Sequence, residues 1–421
     1  MIARLREQRD YPDAGPCNGS LGKLVLLGSI NSYPRSRIDH FCTCQWSLML
    51  LGQLRSQGVL ETAEAWFASD AAFEFEKYGV RVRCFNGFDE MVQASRPTDV
   101  LWVRGLCKPF LRTLNRMPAR LRVYYAASKR LLPYRWNHFD LILVDDERQI
   151  GPVSRLGVSK RVDRLMKTTD PTVFRPLPQV AKLYDLCIIA DMRAARKNFA
   201  ALARLLKTDP QLSAQVVGVQ TPEVIRELRD TGARIDFVEY CPRDELNRCM
   251  NQARIGFVPN LLDAAPRVIV EFMAAGVPVL LNAAILGGRD YITPQTGVLA
   301  SELEFPAAIH RILSGELPLD PRAGFLKNFQ PEKSANHLAS VLSRAMRECG
   351  RDTCTSPPGL LRRLLTGPLR PRAALARCLQ EITGDSGEIE NEHDSTDTHV
   401  PRLRLLDAPS AQPFDPSAKA A

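Results

Sequence analysis

Apolar runs recur along the chain, separated by segments with charged residues at helical spacing. Residues 23–30 (Lys-Leu-Val-Leu-Leu-Gly-Ser-Ile) form the first and predict a strand covered on both faces. Helices are expected over 45–57 and 61–77. Strand-like runs follow at 80–85, 99–103, 121–125 and 140–144, a rhythm that predicts a first Rossmann-like domain. A proline-rich stretch at 167–178 reads as a linker. Beyond it come strands at 184–190, 214–219, 235–239 and 253–259, with helices at 199–207, 222–230 and from Pro242. Residues 263–282 then predict a loop, a helix from Pro266 to Gly276, and a buried strand at 278–281. Proline costs nothing at a helix start, and Gly276 before Pro278 suits a left-handed stop. A last helix is expected over 332–346. The expected domains are a polar lead-in (1–21), an amino-terminal domain (22–176), a carboxy-terminal domain (177–348) and a charged tail (349–421).

Composition narrows this picture only a little. A chain of 421 residues, 45% apolar, is long enough for two domains and a tail. No apolar run approaches the roughly 18 residues that span a bilayer, and the first residues are charged rather than signal-like. The 11 cysteines form no regular framework and read as reduced thiols of a cytoplasmic protein. Cys42 and Cys44 make one close pair, but without a second pair or a histidine cluster no metal site is expected. The net charge of +9 favours phosphate-bearing partners: nucleotide-sugars, anionic lipid surfaces or nucleic acid. No zinc-finger spacing or aromatic-basic signature accompanies it, so no nucleic-acid partner is expected. In the tail, arginines among leucines over 360–378 precede an acidic run, which reads as disordered. The Leu/Arg stretch would alternatively suit peripheral contact with an anionic membrane.

Two loops carry candidate chemistry. Ligands of parallel α/β sheets sit beyond the carboxyl ends of the strands, which puts Asp263 and Glu271 on the ligand side. Ionised carboxylates only accept hydrogen bonds, which suits sugar or ribose hydroxyls, although a helix cap and a solvated face would account for the pair equally. The second loop, Asp191-Met192-Arg193-Ala194-Ala195-Arg196-Lys197-Asn198, gathers three cations at a strand's carboxyl end. Such a mouth fits a diphosphate, Arg as a two-pronged donor and Lys as a compact charge.

Residues 263–282 resemble the donor-site signature of the retaining GT-B glycosyltransferases, particularly glycosyltransferase family 4, in which a Glu-x7-Glu pair precedes a Gly-x-Pro-Val strand. Asp263 stands at the first Glu, near the transferred sugar, and Glu271 matches the second, which binds ribose. Ala264-Ala265-Pro266-Arg267 replaces the family's Gly-aromatic-Pro. Lys197, with Asn198 after it, matches the Lys of the family's Arg-x4-Lys phosphate clamp, and Arg193 fits its Arg if the loop is one residue shorter. Asp170, Phe174 and Pro176 keep the spacing that closes the family's amino-terminal domain, and 332–346 resembles its closing helix. The resemblance covers 22–348. It implies an α/β GT-B fold, with two Rossmann-like domains facing across a cleft, and transfer of a sugar from a nucleotide-sugar to a saccharide or lipid-linked acceptor, with retention and without a metal or other cofactor. Its implied catalytic residues are Asp263, Lys197 and Arg193. Glu271, Arg267, Pro266, Ala265 and Gly287 would bind the donor. Three departures stand out: Ser29-Ile30-Asn31-Ser32-Tyr33-Pro34 has no glycine pair, the amino-terminal histidine has only His40 and His138 as candidates, and Asp263 replaces Glu. They leave open a nucleotide-sugar epimerase or a non-catalytic scaffold.

Overall fold

A computed structural model of the chain describes residues 20–28, 46–104, 114, 116–126, 139–155, 161–263 and 265–349. The loop 29–34, His40, Cys42, Cys44, His138, Ala264, most of the lead-in and all of the tail beyond Cys349 lie outside them.

The fold is α/β, built on two sheets. The first holds β1 (Lys23–Leu27), β2 (Thr62–Ser69), β3 (Phe73–Lys77), β4 (Val80–Asn86), β5 (Thr98–Arg104), β6 (Ala119–Ala126), β7 (Leu141–Val144) and β8 (Arg161–Arg164), in the order β3-β4-β2-β1-β5-β6-β7-β8. All neighbours are parallel except β3 and β4. The second holds β9 (Tyr184–Ile189), β10 (Ser213–Val217), β11 (Arg234–Val238), β12 (Ala253–Val258), β13 (Val279–Asn282) and β14 (Gly297–Ala300). It is parallel throughout, in the order β11-β10-β9-β12-β13-β14.

The helix expected over 61–77 is not formed; β2 and β3 take its place. Side chains of a strand alternate between faces. Ala63, Ala65 and Phe67 accordingly enter the core on one side of the sheet, Trp66 and Ala68 the core on the other. In β3 the alternation is Phe-Glu-Phe-Glu. Glu74 pairs across the strands with Arg81 (2.6 Å) and Arg83 (2.7 Å) on β4. Tyr78 and Gly79, both at positive φ (53° and 71°), make the two-residue turn that joins them. Cross-strand pairing overrides the helix-favouring Ala and Glu content. Nor does the apolar pattern mark β8, a half-buried Arg-Val-Asp-Arg edge strand.

The helix Pro331–Cys349 returns to the first sheet, as expected from its resemblance to a closing helix. Leu338, Val341, Leu342 and Met346 join the core that holds β1, β5 and β6. At about 1.5–3 kcal/mol for each large side chain fully buried, these four fasten the end of the described chain firmly. The loops at the carboxyl ends of both sheets meet: Arg148 donates to the Leu286 carbonyl (2.7 Å), Lys167 to the Ala265 carbonyl (2.6 Å), and Arg164 pairs with Asp290 (3.0 Å).

Candidate functional site

The basic loop leaves β9 and tightens into a single helical turn at Ala195–Lys197. Asn198 then takes a left-handed conformation (φ 54°), which asparagine tolerates better than most residues. Its amide donates to the Pro259 carbonyl (3.1 Å) and to Glu302 (2.8 Å), tying the loop to the end of β12. Lys197 is thereby aimed at Asp263, Nζ to Oδ2 2.8 Å. The same oxygen accepts from Arg196 (3.2 Å) and Asn260 (3.1 Å), whereas Oδ1 accepts nothing from the described residues. Burial works to raise the Asp263 pKa, but Lys197, Arg196 and Lys167 together hold it below the ordinary value. Burial pushes the Lys197 ammonium down, against the pull of Asp263.

Arg193 is not brought to this cluster. Its guanidinium is two-thirds exposed and forks onto Asp191 at 2.9 and 2.7 Å. Arg196 occupies the place beside Asp263 instead.

The helix after Asp263 runs Val268–Ala274, two residues later than expected, so Glu271 lies in its first turn. Glu271 is 5% exposed and pairs with Arg267 at 2.9 Å. The helix ends as the sequence predicts: Gly276 is left-handed (φ 75°), its N–H donates to Met273, and that of Val277 donates back to Phe272. Ala265 and Pro266, which lie between Asp263 and Glu271 in the sequence, are buried. The Gly287 N–H donates to the Asp263 carbonyl (3.0 Å), so the loop after β13 backs the acidic loop. Gly288 follows at φ 91°, where a Cβ would meet Ile269 at 3.2 Å, and only glycine fits without strain.

The first sheet brings residues that the sequence did not single out. Asp145, at the end of β7, is fully buried and accepts from the Tyr125 hydroxyl and from Lys167 Nζ (3.2 Å). Burial raises its pKa, opposed by Lys167 and Tyr125. Asp146 holds Arg148 in a fork (3.0 and 2.9 Å) and accepts from the Gly288 N–H (3.2 Å). Arg104, at the end of β5, donates to Ser47 (2.8 Å) and lies over the rings of Trp46 and Tyr125. Burial lowers its pKa, Tyr125 and Asp145 oppose this, and the charge of Arg267 adds to it.

Among the described residues, no three His, Cys, Asp or Glu side chains converge as ligands for a metal ion. What the site offers is a set of cations for anionic oxygens (Lys197, Arg196, Arg267) beside Asp263 Oδ1, which accepts from none of the described residues. A separate concavity of about 430 Å³, lined by Arg55, Glu64, Glu74 and Arg81, lies at the amino end of β2, the opposite end from Asp145. Glu64 and Glu74 there are paired with Lys23, Arg81 and Arg83.

Comparison with known proteins bears on this geometry. No curated protein matches the chain. Among solved structures, a sucrose-phosphate synthase from Thermosynechococcus elongatus is 15% identical, with a TM-score of 0.52 over 82% of this chain and 99% of that one. Anabaena HepE in complex with UDP and glucose is 14% identical, with a TM-score of 0.52 over 78% and 98%. An E. coli structure described as trehalose-6-phosphate bound with UDP-2-fluoro glucose is 13% identical, with a TM-score of 0.53 over 78% and 98%. At such identities the likeness is one of fold, and it bears out the GT-B architecture expected from the resemblance. The segment 194–343, which carries Lys197, Asp263, Arg267 and Glu271, matches the family model described as glycosyl transferases group 1.

Proposed function

We propose that the chain transfers a sugar from a nucleotide-sugar to a saccharide or lipid-linked acceptor, with retention of configuration and without a metal ion. The observation that carries this reading is the convergence of Lys197 and Arg196 on one oxygen of Asp263, within the segment that matches the glycosyltransferase model. The structural neighbours described with UDP and glucose, or with UDP-2-fluoro glucose, support a sugar nucleotide as the donor.

In this mechanism Lys197 and Arg196 face the diphosphate and stabilise the charge that grows on it as the sugar–oxygen bond breaks. Charge stabilisation of this kind, oriented before the reaction begins, lowers the barrier more than any other single effect in many enzymes. Arg196 takes the part that the resemblance gave to Arg193. Asp263, its Oδ2 fixed by three donors, presents Oδ1 to a hydroxyl of the sugar and favours positive charge at the ring. Glu271, with Oε1 held by Arg267, accepts from the ribose hydroxyls. Gly287 and Pro266 shape the wall between them. No helix among the described residues is long and apolar enough to cross a membrane.

The test is calorimetric binding of UDP, GDP and ADP to the full chain, with Lys197→Ala and Glu271→Ala alongside. One nucleotide should bind, and each variant should weaken it at least tenfold. Turnover with that nucleotide's sugars should persist in EDTA. A folded protein that binds no nucleotide, or two variants that bind and turn over like the parent, would refute the reading. Epimerisation of the donor with no acceptor present would replace it.

A further inference from the structure

Lys167 belongs neither to the basic loop nor to the acidic one, yet its ammonium is buried where the two sheets meet. It follows β8 in the chain and its side chain is 11% exposed. Nζ lies 3.2 Å from Asp145 Oδ2 on the first sheet and 2.6 Å from the Ala265 carbonyl on the second. Its backbone N–H donates to the Tyr291 hydroxyl (2.6 Å), so the residue is fixed at both ends. Asp145 is held from its other side by the Tyr125 hydroxyl. Tyr125, Asp145, Lys167 and Ala265 thus form one buried chain of polar contacts from β6 to the acidic loop.

Ala265 lies two residues after Asp263 and two before Arg267, the partner of Glu271. Anchoring its carbonyl therefore fixes the backbone that carries both carboxylates. The same loop is braced a second time: Leu261 and Asp263 accept from the N–H groups of Leu286 and Gly287, and that turn is held by Arg148 and Asp146 of the first sheet. A buried ammonium shared by a carboxylate and a carbonyl is a strong, directional tie, because neither partner has water to fall back on.

We infer that Lys167 is a positioning residue: through Ala265 it sets where Asp263 and Glu271 stand relative to the first sheet. This rests on the reading under Proposed function, because the consequence for catalysis is that acceptor and donor sugar meet in register. Nucleotide binding, whose proposed contacts all come from loops of the second sheet, needs their placement against the first sheet, and so Lys167, less than transfer does.

The experiment compares the full-length parent with Lys167→Met and Lys167→Arg by three readouts. Amide hydrogen exchange over 261–268 should be at least tenfold faster in Lys167→Met, with β9 and β12 unchanged, and should return towards the parent in Lys167→Arg. Nucleotide Kd should change less than threefold while kcat for sugar transfer falls more than tenfold. Exchange over 261–268 equal to the parent in Lys167→Met overturns the inference. So does faster exchange throughout the second sheet in both variants, the mark of a merely structural lysine. A parent that binds no nucleotide would refute the proposed function, and the exchange comparison would still decide the role of Lys167.

Discussion

The Lys197–Asp263 pair is open to a double-mutant cycle, because its geometry fixes how much each single change should cost. Lys197→Met removes the ammonium but keeps much of its apolar stem. Asp263 then still accepts from Arg196 and Asn260, and the cost should be about 2 kcal/mol, within the range for leaving a buried polar group short of a partner. Asp263→Ala is worse, for it leaves an ammonium that is only 13% exposed beside the like charge of Arg196. Breaking a buried pair from one side costs roughly 3–5 kcal/mol; the 20% exposure of Asp263 argues for the low end, about 3 kcal/mol. With both residues changed, no buried charge is stranded, so the double variant should lose about 3 kcal/mol rather than about 5, a coupling of about 2 kcal/mol. Urea denaturation of the four proteins measures this, provided the dependence on urea is the same in all four. A double variant that loses the sum of the single losses to within about 0.5 kcal/mol would show that the contact carries no energy. Lys197 and Asp263 would then not act as a preset charge pair.

Three further outcomes follow from particular contacts. A Cβ at Gly256 would meet the fully buried Phe272 ring at 2.4 Å, so Gly256→Ala should cost about 1–3 kcal/mol by overpacking and also weaken nucleotide binding, since Phe272 adjoins Glu271; unchanged stability in urea would contradict this. Glu271→Gln keeps the shape but removes a charged acceptor worth about 1.5–3 kcal/mol, so nucleotide Kd should rise on the order of tenfold or more in calorimetry, and equal affinity would exclude a ribose contact. His337, whose Nε2 donates to the Arg164 carbonyl (2.7 Å), has its pKa lowered by burial, so the unfolded chain binds its proton more readily than the folded one. Its contribution is then complete above the unfolded value of about 6.5 and is lost as pH falls below it; His337→Gln should flatten that part of a stability-versus-pH curve, and a parallel curve would contradict the assignment.

Much of the fold was legible because parallel strands covered on both faces must be almost continuously apolar. Leu-Val-Leu-Leu in β1 and Leu-Ile-Leu-Val in β7 leave little choice, and the β12–helix–β13 unit carries its own stop at Gly276. The failure at 61–77 has the same physics in reverse. With both faces of the sheet covered, Trp66 is buried as deeply as Phe67, so the period of two is blurred where β2 enters the core. Only β3, at the edge, shows clean alternation, and there the glutamates suggest a helix until their partners Arg81 and Arg83 are known. The strand β8 is held by its pairing with β7 rather than by apolar burial, and such a strand leaves no mark in composition.

The site divides along the same line. Lys197 and Asp263 were legible as candidates because each lies in a loop just past a strand's carboxyl end, and Glu271 because it opens the helix that follows, so that local spacing carries the signal. Which arginine joins them was not: the 195–197 turn swings Arg196 towards Asp263, while Asp191, two residues earlier, captures Arg193. Lys167 is hidden more deeply, since its carbonyl partner is 98 residues away and nothing local shows that 165–169 is buried. Once that burial is known, the pairing becomes almost obligatory. A lysine inside a protein must find a carboxylate or a set of carbonyls, and a buried carboxylate such as Asp145, following Leu-Ile-Leu-Val, must find a cation or proton donors. The topology sets β7 beside β8, and the chain leaves β8 through Lys167 directly past Asp145. Opposite charges stranded in two buried runs thus meet at the one place where the acidic loop also needs an anchor.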